Sequence, residues 1–555
     1  MSEETKDNVL ETEAEATETP AADGTAAEQQ SPHKGFLGKV DNFFGITKSG
    51  SKYRTEIVAG LTTFMAMVYI LMVNAGMFSG VIVPGENHYG AAYIATAIGA
   101  IVGTLLMAFL AKMPLAQASG MGVNAFICFT LCDKAVGLTY ANCMVFTLLD
   151  GVIFLLLTAT GLRQKIFEAI PAGVRHAIPV GIGLFIAFIG MQNAGIIVDS
   201  STLTTFVSFN VLAKGWEWGN VIAPLCALLG VIAIAIMVKK NVKGAILWGI
   251  LGTAVLYFIF AGLGCLGAGE TLVTYVNADG ELIYDNVLLA EALELSGGEL
   301  PVGAVLTYHG SDICKAIFSN ISISNPFDAF ADWGVNSVGK VFVDGFNFDN
   351  YFAIEGTNAG TLIVLLITTA LSLCMIDMFD TIGTLYGACA KGNLLDENGV
   401  PIRMNRMMLS DAIATCTGAI AGTSTVTTFV EASSGVAAGG RTGFTALVVA
   451  ACFILAMFLS PIAQLIPSAA TATALIWVGV LMMTSVTKID WEDAGEAIVA
   501  FLTFITMVLG YSISHGIGIG ILAYIVVKLC TGKIKEISVA TWVIGVIFLA
   551  TFILT

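Results

Sequence analysis

Long apolar segments recur along most of this 555-residue chain, and they constrain its fold more than any other feature of the sequence. A helix needs roughly 20 consecutive apolar residues to cross the hydrocarbon core of a bilayer. Segments of about that length include 57–79, 91–110, 177–198, 244–266 and 443–466. Charged residues make up only 12% of the chain, which is too little to cover a soluble protein of this size. The sequence therefore predicts an all-α membrane protein that crosses the bilayer many times.

We count about fourteen membrane spans, in two groups of seven. The first group comprises 57–79, 91–110, 115–131, 143–160, 177–198, 221–238 and 244–266. The second comprises 359–387, 407–422, 423–440, 443–466, 469–486, 497–513 and 516–531. Basic residues concentrate in alternate connections, for example Lys112, Arg163, Lys240 and Lys488. By the positive-inside bias, these connections and the N-terminus are predicted to be cytoplasmic.

The segments outside the spans divide the chain further. Residues 1–35 are acidic, show no cleavable signal peptide, and are predicted to form a disordered cytoplasmic tail. The first repeat is predicted at 36–266, starting with a short interfacial helix, and the second at 358–532. The acidic segment 267–357 is predicted to lie on the extracytoplasmic side, as a small cap over the mouth or as a plain insertion. The apolar segment 533–555 either crosses the membrane or lies along its surface.

An internal repeat relates the two groups of spans. Ala95–Thr104 (ATAIGAIVGT) and Ala414–Thr423 (ATCTGAIAGT) agree at seven of ten positions, and IFEAIP at 166–171 resembles IAQLIP at 462–467. With seven spans in each group, the second must enter the membrane upside down relative to the first. Such inverted repeats are typical of secondary transporters, which hold their substrate near the midplane between broken helices.

One span in each half is predicted to be broken. Residues 115–131 and 423–440 each begin with an extended stretch and continue into sequence rich in Gly, Ser and Ala. A short strand followed by a half-helix fits this pattern better than a continuous helix. Irregular backbone at membrane depth is tolerated where it lines a cavity, and a half-helix N-terminus directs amide donors into that cavity. Glu431 stands at this junction in the second half, and Asn124 lies in the comparable region of the first.

Acidic side chains within the spans are the main candidates for a site. Asp377 and Asp380 lie three residues apart on one helix, so they occupy neighbouring positions of one face. Carboxylates inside a membrane are costly and normally face a polar interior. We expect Asp380 and Glu431 to contact the solute, whereas Asp377 either joins them or hydrogen-bonds a neighbouring helix. Arg441 is expected to cap the C-terminus of a half-helix, to mark the cytoplasmic boundary, or to form part of a gate.

Six stretches carry a family resemblance, from about Tyr53 to Gly532 with an interruption at the segment 267–357. They are RTEIVAGLTTFMAMVYILMVN, SGMGVNAFICF, GIGLFIAFIGMQNAGIIV, DMFDTIGTL, GTSTVTTFVEASSGVAAGGRTG and LIWVGVLMM. Together they resemble the AzgA-like (azaguanine-resistance type) purine permeases, a branch of the second nucleobase–cation symporter family. The resemblance implies fourteen spans in two inverted seven-span repeats, divided into a core and a gate domain. It also implies uptake of hypoxanthine, guanine or adenine with a proton across the cell membrane, without a cofactor.

The resemblance implies site residues in the second half. Asp380 stands where the related uracil and xanthine permeases carry a glutamate, and Thr384 stands where the uracil permease pattern has a histidine. Glu431 matches the second glutamate of that family, with the backbone of Val430 beside it. The sequence at 432–435 replaces the Asn-x-Gly pattern of the xanthine and ascorbate branch, which disfavours xanthine, urate and uracil as substrates.

The first half is implied to contribute Asn124, because the AzgA-like branch uses an asparagine there, and the family's aromatic falls near Phe126. A purine offers N–H groups that carboxylates accept, and Phe126 or Phe429 can stack on its face. Burial favours the neutral form of a carboxylic acid. Asp380 and Glu431 are therefore both candidates to carry the coupled proton; of the two, we favour Asp380 for the proton and Glu431 for the edge of the base.

The sequence disfavours two other functions. An anion transporter shares this architecture, but acidic residues at its site would repel the anion. A membrane-embedded enzyme would need a metal cluster or a nucleophile–base pair, and the sequence shows neither. Nothing predicts nucleic-acid binding, a metal or disulfides. The preferred purine, proton against sodium coupling, and the oligomeric state stay open, a homodimer being one option.

Overall fold

The structure is a computed structural model of the chain. It describes residues 35–132, 136–161, 170–199, 204–207, 209, 218–265, 272–276, 282–288, 305–307, 318, 325–354, 356–397 and 400–554. The predicted tail, except for its last residue, and most of the predicted insert before residue 325 lie outside the described residues. The tail and the boundaries of the predicted domains therefore stay predictions.

The first half consists of nine helices and three short strands within the described ranges. Its helices are α1 Phe36–Phe44, α2 Tyr53–Met67, α3 Tyr69–Phe78, α4 Tyr89–Leu106, α5 Met121–Phe126, α6 Tyr140–Thr160, α7 Ala172–Asn193, α8 Trp218–Lys239 and α9 Ala245–Cys265. Its strands are β1 Gln117–Ser119, β2 Ile197–Asp199 and β3 Thr204–Phe206. Turns of π-helix extend α4 through Met107–Ala111 and α5 through Ile127–Leu131. Helices α2 and α3 together form the first span.

The segment between the halves forms a small sheet and three short helices. Its elements are β4 Leu272–Val276, β5 Leu282–Leu288, β6 Val305–Thr307, α10 Pro326–Asn336, α11 Lys340–Val343 and α12 Asp349–Phe352. Helix α10 packs against α4, where His88 Nδ1 lies 2.7 Å from Asp332 Oδ1. The indole of Trp333 donates to the carbonyl of Ala421 at 2.8 Å, at the end of a span of the second half. Helix α10 is thus attached to the ends of spans from both halves.

The second half repeats the pattern of the first. Its elements are α13 Ala359–Lys391, α14 Met404–Ala421, β7 Val426–Thr428, α15 Ala432–Ala437, α16 Gly443–Met457, α17 Ser460–Ala463, α18 Ser468–Met482, α19 Ala494–Leu509, α20 Ile513–Cys530 and α21 Val539–Leu554. A 3₁₀ turn, Met483–Lys488, extends α18. Among the described residues, nine helices are long and apolar enough to cross a membrane, and several shorter apolar helices accompany them.

Helix packing relates the two halves by an exchange of partners. Helix α4 of the first half packs against α16 of the second, and in the equivalent contact α14 of the second half packs against α6 of the first. In the same way, α7 of the first half packs against α19 of the second, and α18 of the second half packs against α8 of the first. Two copies of one unit inserted in opposite orientations produce this exchange. One bundle, the core, contains α2–α6 and α13–α16. The other, the gate, contains α7–α9 and α18–α20.

The two broken spans meet in the core. Strand β1 precedes the half-helix α5, and strand β7 precedes the half-helix α15, as the sequence predicts. The strands pair antiparallel, with Ala118 opposite Thr427 and Gln117 opposite Thr428. This pairing satisfies backbone groups that would otherwise be exposed at membrane depth. It also brings the two half-helices to one place between the bundles.

Candidate functional site

A cavity of about 270 Å³ lies between the core and the gate. The core supplies its polar wall, which includes Tyr69, Asp380, Thr384, Thr428 and Glu431. The gate supplies a largely apolar wall, which includes Pro179, Ile182, Ile186, Val478 and Leu481. A largely apolar pocket with a few convergent polar groups is the usual form of a small-molecule site.

Glu431 lies immediately before the half-helix α15 and is only 9% exposed. Its Oε1 accepts a hydrogen bond of 2.6 Å from the hydroxyl of Tyr69, which is fully buried at the start of α3. The sequence analysis does not identify Tyr69 as a site residue. The only indication in the sequence is a side chain with a hydroxyl group inside an apolar segment. The tyrosine fixes one carboxylate oxygen and orients the other.

The amides of the half-helix are used within their own turn. Ala432 donates to the carbonyl of Phe429 at 3.1 Å, and Ser433 donates to that of Val430 at 3.0 Å. These two donors therefore already have partners inside the half-helix. That other amides at the half-helix N-termini are directed into the cavity stays a prediction of the sequence.

Asp380 faces the same cavity from the middle of α13. The hydroxyl of Thr427 on β7 lies 3.5 Å from its Oδ2, at the outer limit of a hydrogen bond. Thr384 lines the cavity one turn further along. Gly383 and Gly387 also line it and expose the backbone of the helix to the cavity. A methyl group at either glycine would meet no atom within 4 Å.

The structure thus brings four of the seven predicted residues to one cavity, namely Asp380, Glu431, Thr384 and Val430. The other three are buried in the core, outside this lining. Asp377 and Phe126 are almost completely inaccessible. Asn124 accepts from the hydroxyls of Ser119, at 2.9 Å, and Ser424 through its Oδ1, so it joins the two broken spans.

A buried carboxylate that the sequence reasoning did not single out for the site lies behind Asp380. Asp411, in the middle of α14, accepts from Thr381 at 2.8 Å and from Gln117 of β1 at 3.3 Å. Thr381 is the neighbour of Asp380 in the chain, so this network ties the cavity wall to the strand pair. Its signal in the sequence was an aspartate within an apolar span.

The end of α15 is fixed to the first span. Arg441 Nη1 donates to the carbonyls of Val436, at 2.7 Å, and Gly440, at 2.8 Å, so it caps the half-helix C-terminus as expected. Glu56 of α2 is fully buried and accepts from the amide of Arg441 at 3.0 Å and the hydroxyl of Thr445 at 2.5 Å. The half-helix that follows Glu431 is therefore held at both ends by the first span.

The cavity opens toward one end of the bundles. At this end the cavity is lined by Thr484 and Lys488, which are exposed. Gly383 and Gly387 of α13 also line the cavity and are exposed. The charge pattern predicts that Lys488 lies on the cytoplasmic side. The same pattern therefore predicts that the cavity mouth faces the cytoplasm.

Comparison with known proteins shows the family to which the chain belongs. The chain matches the Permease family (Xan_ur_permease) over residues 54–269 and 342–519. The chain belongs to this permease family. It is therefore a membrane transporter and not an enzyme. The match leaves out residues 270–341, most of the segment between the two halves.

Three permeases of known sequence are similar to the chain over nearly its whole length. The guanine/hypoxanthine permease PbuO of Bacillus subtilis (strain 168) is 35% identical, over 91% of this chain and 98% of the relative. The adenine permease AdeP of Escherichia coli (strain K12) is 31% identical, over 92% and 95%. A putative permease of Methanocaldococcus jannaschii, MJ0326, is 34% identical, over 93% and 98%.

A solved structure supports the fold. The murine Slc26a9 anion transporter in the inward-facing state superposes with a TM-score of 0.51 over 91% of this chain and 74% of that one, at 13% identity. At this identity the likeness concerns the fold alone. Together with the exchange of helix partners, it confirms two inverted seven-span repeats with a core and a gate.

Proposed function

We propose that this protein takes up purine nucleobases, namely hypoxanthine, guanine or adenine, with a proton as the coupling ion. The observation that carries the proposal is the pair Asp380 and Glu431, which face one cavity inside the membrane from the polar wall of the core. The names of PbuO and AdeP, relatives over more than nine-tenths of the chain, support a purine base as substrate. No cofactor is required.

Two carboxylates favour a neutral solute that donates hydrogen bonds, together with a cation. An anion would be repelled by both side chains, which argues against the anion transport performed by the Slc26a9 relative in fold. A purine base is neutral, planar and rich in N–H donors. The apolar gate wall of Ile182, Ile186 and Val478 matches its faces, and the core wall matches its edge.

Each lining residue has a distinct proposed part. Glu431, oriented by Tyr69, accepts from the N–H edge of the base. The hydroxyl of Thr384 and the backbone of Val430 contact other polar atoms, and the ring of Phe429 packs on the face of the base. Contacts of the base with Asn124, Phe126 and Asp377, which lie outside the lining, stay predictions of the sequence alone.

Asp380 is proposed to hold the coupled proton. A charged carboxylate that slides along an apolar gate wall loses solvation, whereas the protonated acid does not. Protonation therefore lowers the barrier to movement of the loaded core against the gate. The coupling requires the empty, deprotonated site to move slowly. We further propose that the protein lies in the cell membrane with its N-terminus in the cytoplasm, as the positive-inside bias predicts.

Uptake by purified protein in proteoliposomes tests the function. Labelled hypoxanthine should accumulate when the outside is made acidic, and a protonophore should abolish the accumulation. Unlabelled adenine, guanine and hypoxanthine should be compared as competitors with xanthine, uracil and sulfate. Competition by purines alone supports the proposal. Accumulation that persists with the protonophore but requires sodium would overturn proton coupling, and transport of sulfate alone would overturn the substrate class.

A further inference from the structure

Beyond the two acids, on the side away from the cavity mouth, the core and gate touch directly. Along α7 the cavity is lined from Pro179 to Ile186, and Phe185, Phe188 and Gln192 of this helix contact Tyr511 within the gate. Tyr511 in turn contacts Phe129 of the core. Along α13 the cavity lining begins at Phe379, and the contact with the gate lies about 10 Å before it, at Ser372. The contact therefore closes the cavity at the end opposite its mouth.

Tyr511, in the turn between α19 and α20, is the centre of this contact. Its ring lies 5.2 Å from that of Phe185 and 6.1 Å from that of Phe188, centroid to centroid, and its hydroxyl donates to Gln192 Oε1 at 3.1 Å. These three partners belong to the gate. On the core side, the ring of Phe129 lies 6.5 Å away, and the hydroxyl of Thr130 donates to the carbonyl of Tyr511 at 3.3 Å.

The backbone of Tyr511 is unusual for a bulky residue. Its φ is +48°, in the left-handed region, at a position just after a helix where glycine or asparagine is usual. Strained positions of this kind persist where the surroundings hold them, and they concentrate at functional sites. The ring contacts with Phe185 and Phe188 within the gate, and with Phe129 across the boundary to the core, are the evident reason for an aromatic residue there.

A second contact crosses the same boundary. The hydroxyl oxygens of Ser372 on α13 and Ser514 on α20 lie 2.8 Å apart. Helix α13 carries Asp380 and belongs to the core, whereas α20 belongs to the gate. The two bundles are therefore joined near Tyr511 by both aromatic packing and polar contacts.

We propose that Tyr511, with Phe129 and the Ser372–Ser514 contact, forms the seal that shuts the transport path on the face opposite the cavity mouth. The inference rests on the proposed transport function, since a transporter must expose its site to each side in turn. The core side of the seal, Phe129, Thr130 and Ser372, moves with Asp380. Tyr511 and Ser514 stay with the gate. Every transport cycle then has to separate Ser372 from Ser514.

A disulfide across the seal tests this requirement. The double variant Ser372→Cys/Ser514→Cys is oxidised with copper phenanthroline, which accepts the two electrons released when the two thiols form the bond and lose their protons. Hypoxanthine uptake should fall at least 10-fold and return on reduction with dithiothreitol. Equilibrium binding of hypoxanthine to the oxidised protein in detergent should change less than 3-fold, because the mouth stays open.

The wild-type protein is the matched control. Its Cys132 and Cys143 thiols lie 3.4 Å apart within the core, so oxidation there joins parts that move together and should leave uptake intact. Full uptake by the oxidised double variant would overturn the seal, and failure of the two cysteines to cross-link would contradict the contact itself. Absence of uptake by the reduced variant and the wild type alike would instead contradict the proposed function.

A second variant tests the ring without relying on a cross-link. Tyr511→Gly removes the ring but suits the left-handed backbone, so the turn should keep its conformation. A cysteine at Gly383, where a side chain has open space, reports access to the cavity. A membrane-impermeant maleimide, applied on the face of Tyr511, should label Gly383→Cys several-fold faster when Tyr511→Gly is also present. Equal labelling rates of Gly383→Cys with and without Tyr511→Gly would overturn the role of the ring. The variant Tyr511→Gly alone is the control for labelling of the native cysteines.

Discussion

The hydroxyl of Tyr69 donates to Glu431 Oε1 at 2.6 Å across 362 positions of the chain. The bond joins the first span of the first half to the junction of strand and half-helix in the second. Glu431 has little freedom left, because strand β7 ends three residues before it and helix α15 begins at the next residue. A carboxylate held in this way can select a substrate by the position of its donors.

We expect Tyr69→Phe to weaken binding of the base about 10- to 100-fold, the usual effect of losing a hydrogen bond to a charged group. The ring stays, so the packing of α3 should be preserved. The KM of hypoxanthine uptake checks the prediction. Tyr93→Phe is the matched control, since the Tyr93 hydroxyl is also buried but donates to the carbonyl of Ala456, away from the cavity lining. An equal rise in KM for both variants would count against a role for Tyr69 in positioning Glu431.

Asp380→Asn should separate exchange from accumulation. The amide cannot release or take up a proton, but it keeps the shape and part of the hydrogen bonding of the acid. Counterflow of labelled hypoxanthine, which needs no gradient, should persist, whereas accumulation driven by a pH gradient should vanish. Full accumulation by this variant would contradict the assignment of the coupled proton to Asp380.

Asn124 distinguishes contact with the base from support of the site. The structure places its Oδ1 within reach of Ser119 and Ser424 rather than in the cavity wall. Asn124→Ala should therefore lower the free energy of unfolding by about 1–3 kcal/mol, because the two hydroxyls lose their acceptor. The KM should change less than about 3-fold. A large rise in KM without a loss of thermal stability in detergent would instead support the direct contact that the family resemblance implies.

The half-helix after Glu431 lies very close to the first span. A methyl group at Gly435 would come within 2.0 Å of Thr63 Oγ1 and 2.6 Å of the carbonyl of Ala59. Close helix contacts in membranes depend on such small residues. Gly435→Ala should push α15 away and reduce uptake at least 10-fold. Gly76→Ala, where a methyl group meets no atom within 4 Å, should keep wild-type uptake, and equal activity of the two variants would contradict this account.

Much of the architecture is readable from local sequence. The lengths of the apolar segments predict the spans, and the repeat at Ala95–Thr104 and Ala414–Thr423 predicts two related halves. The odd number of spans in each half predicts their inversion. Both broken spans are visible because extended and glycine-rich stretches disfavour a continuous helix. Asp380 and Glu431 stand out because a carboxylate within a span is costly unless a polar cavity receives it.

The tertiary structure decided which side chains meet. In a membrane helix every face is apolar, so the sequence does not show whether a polar residue faces the cavity or a neighbouring helix. Tyr69 became a partner of Glu431, and Asn124 a brace between strands, only through the packing of distant spans. Composition and spacing determined that acids lie at membrane depth. The fold decided how they are held, because contacts across the two halves depend on helix orientation rather than on local sequence.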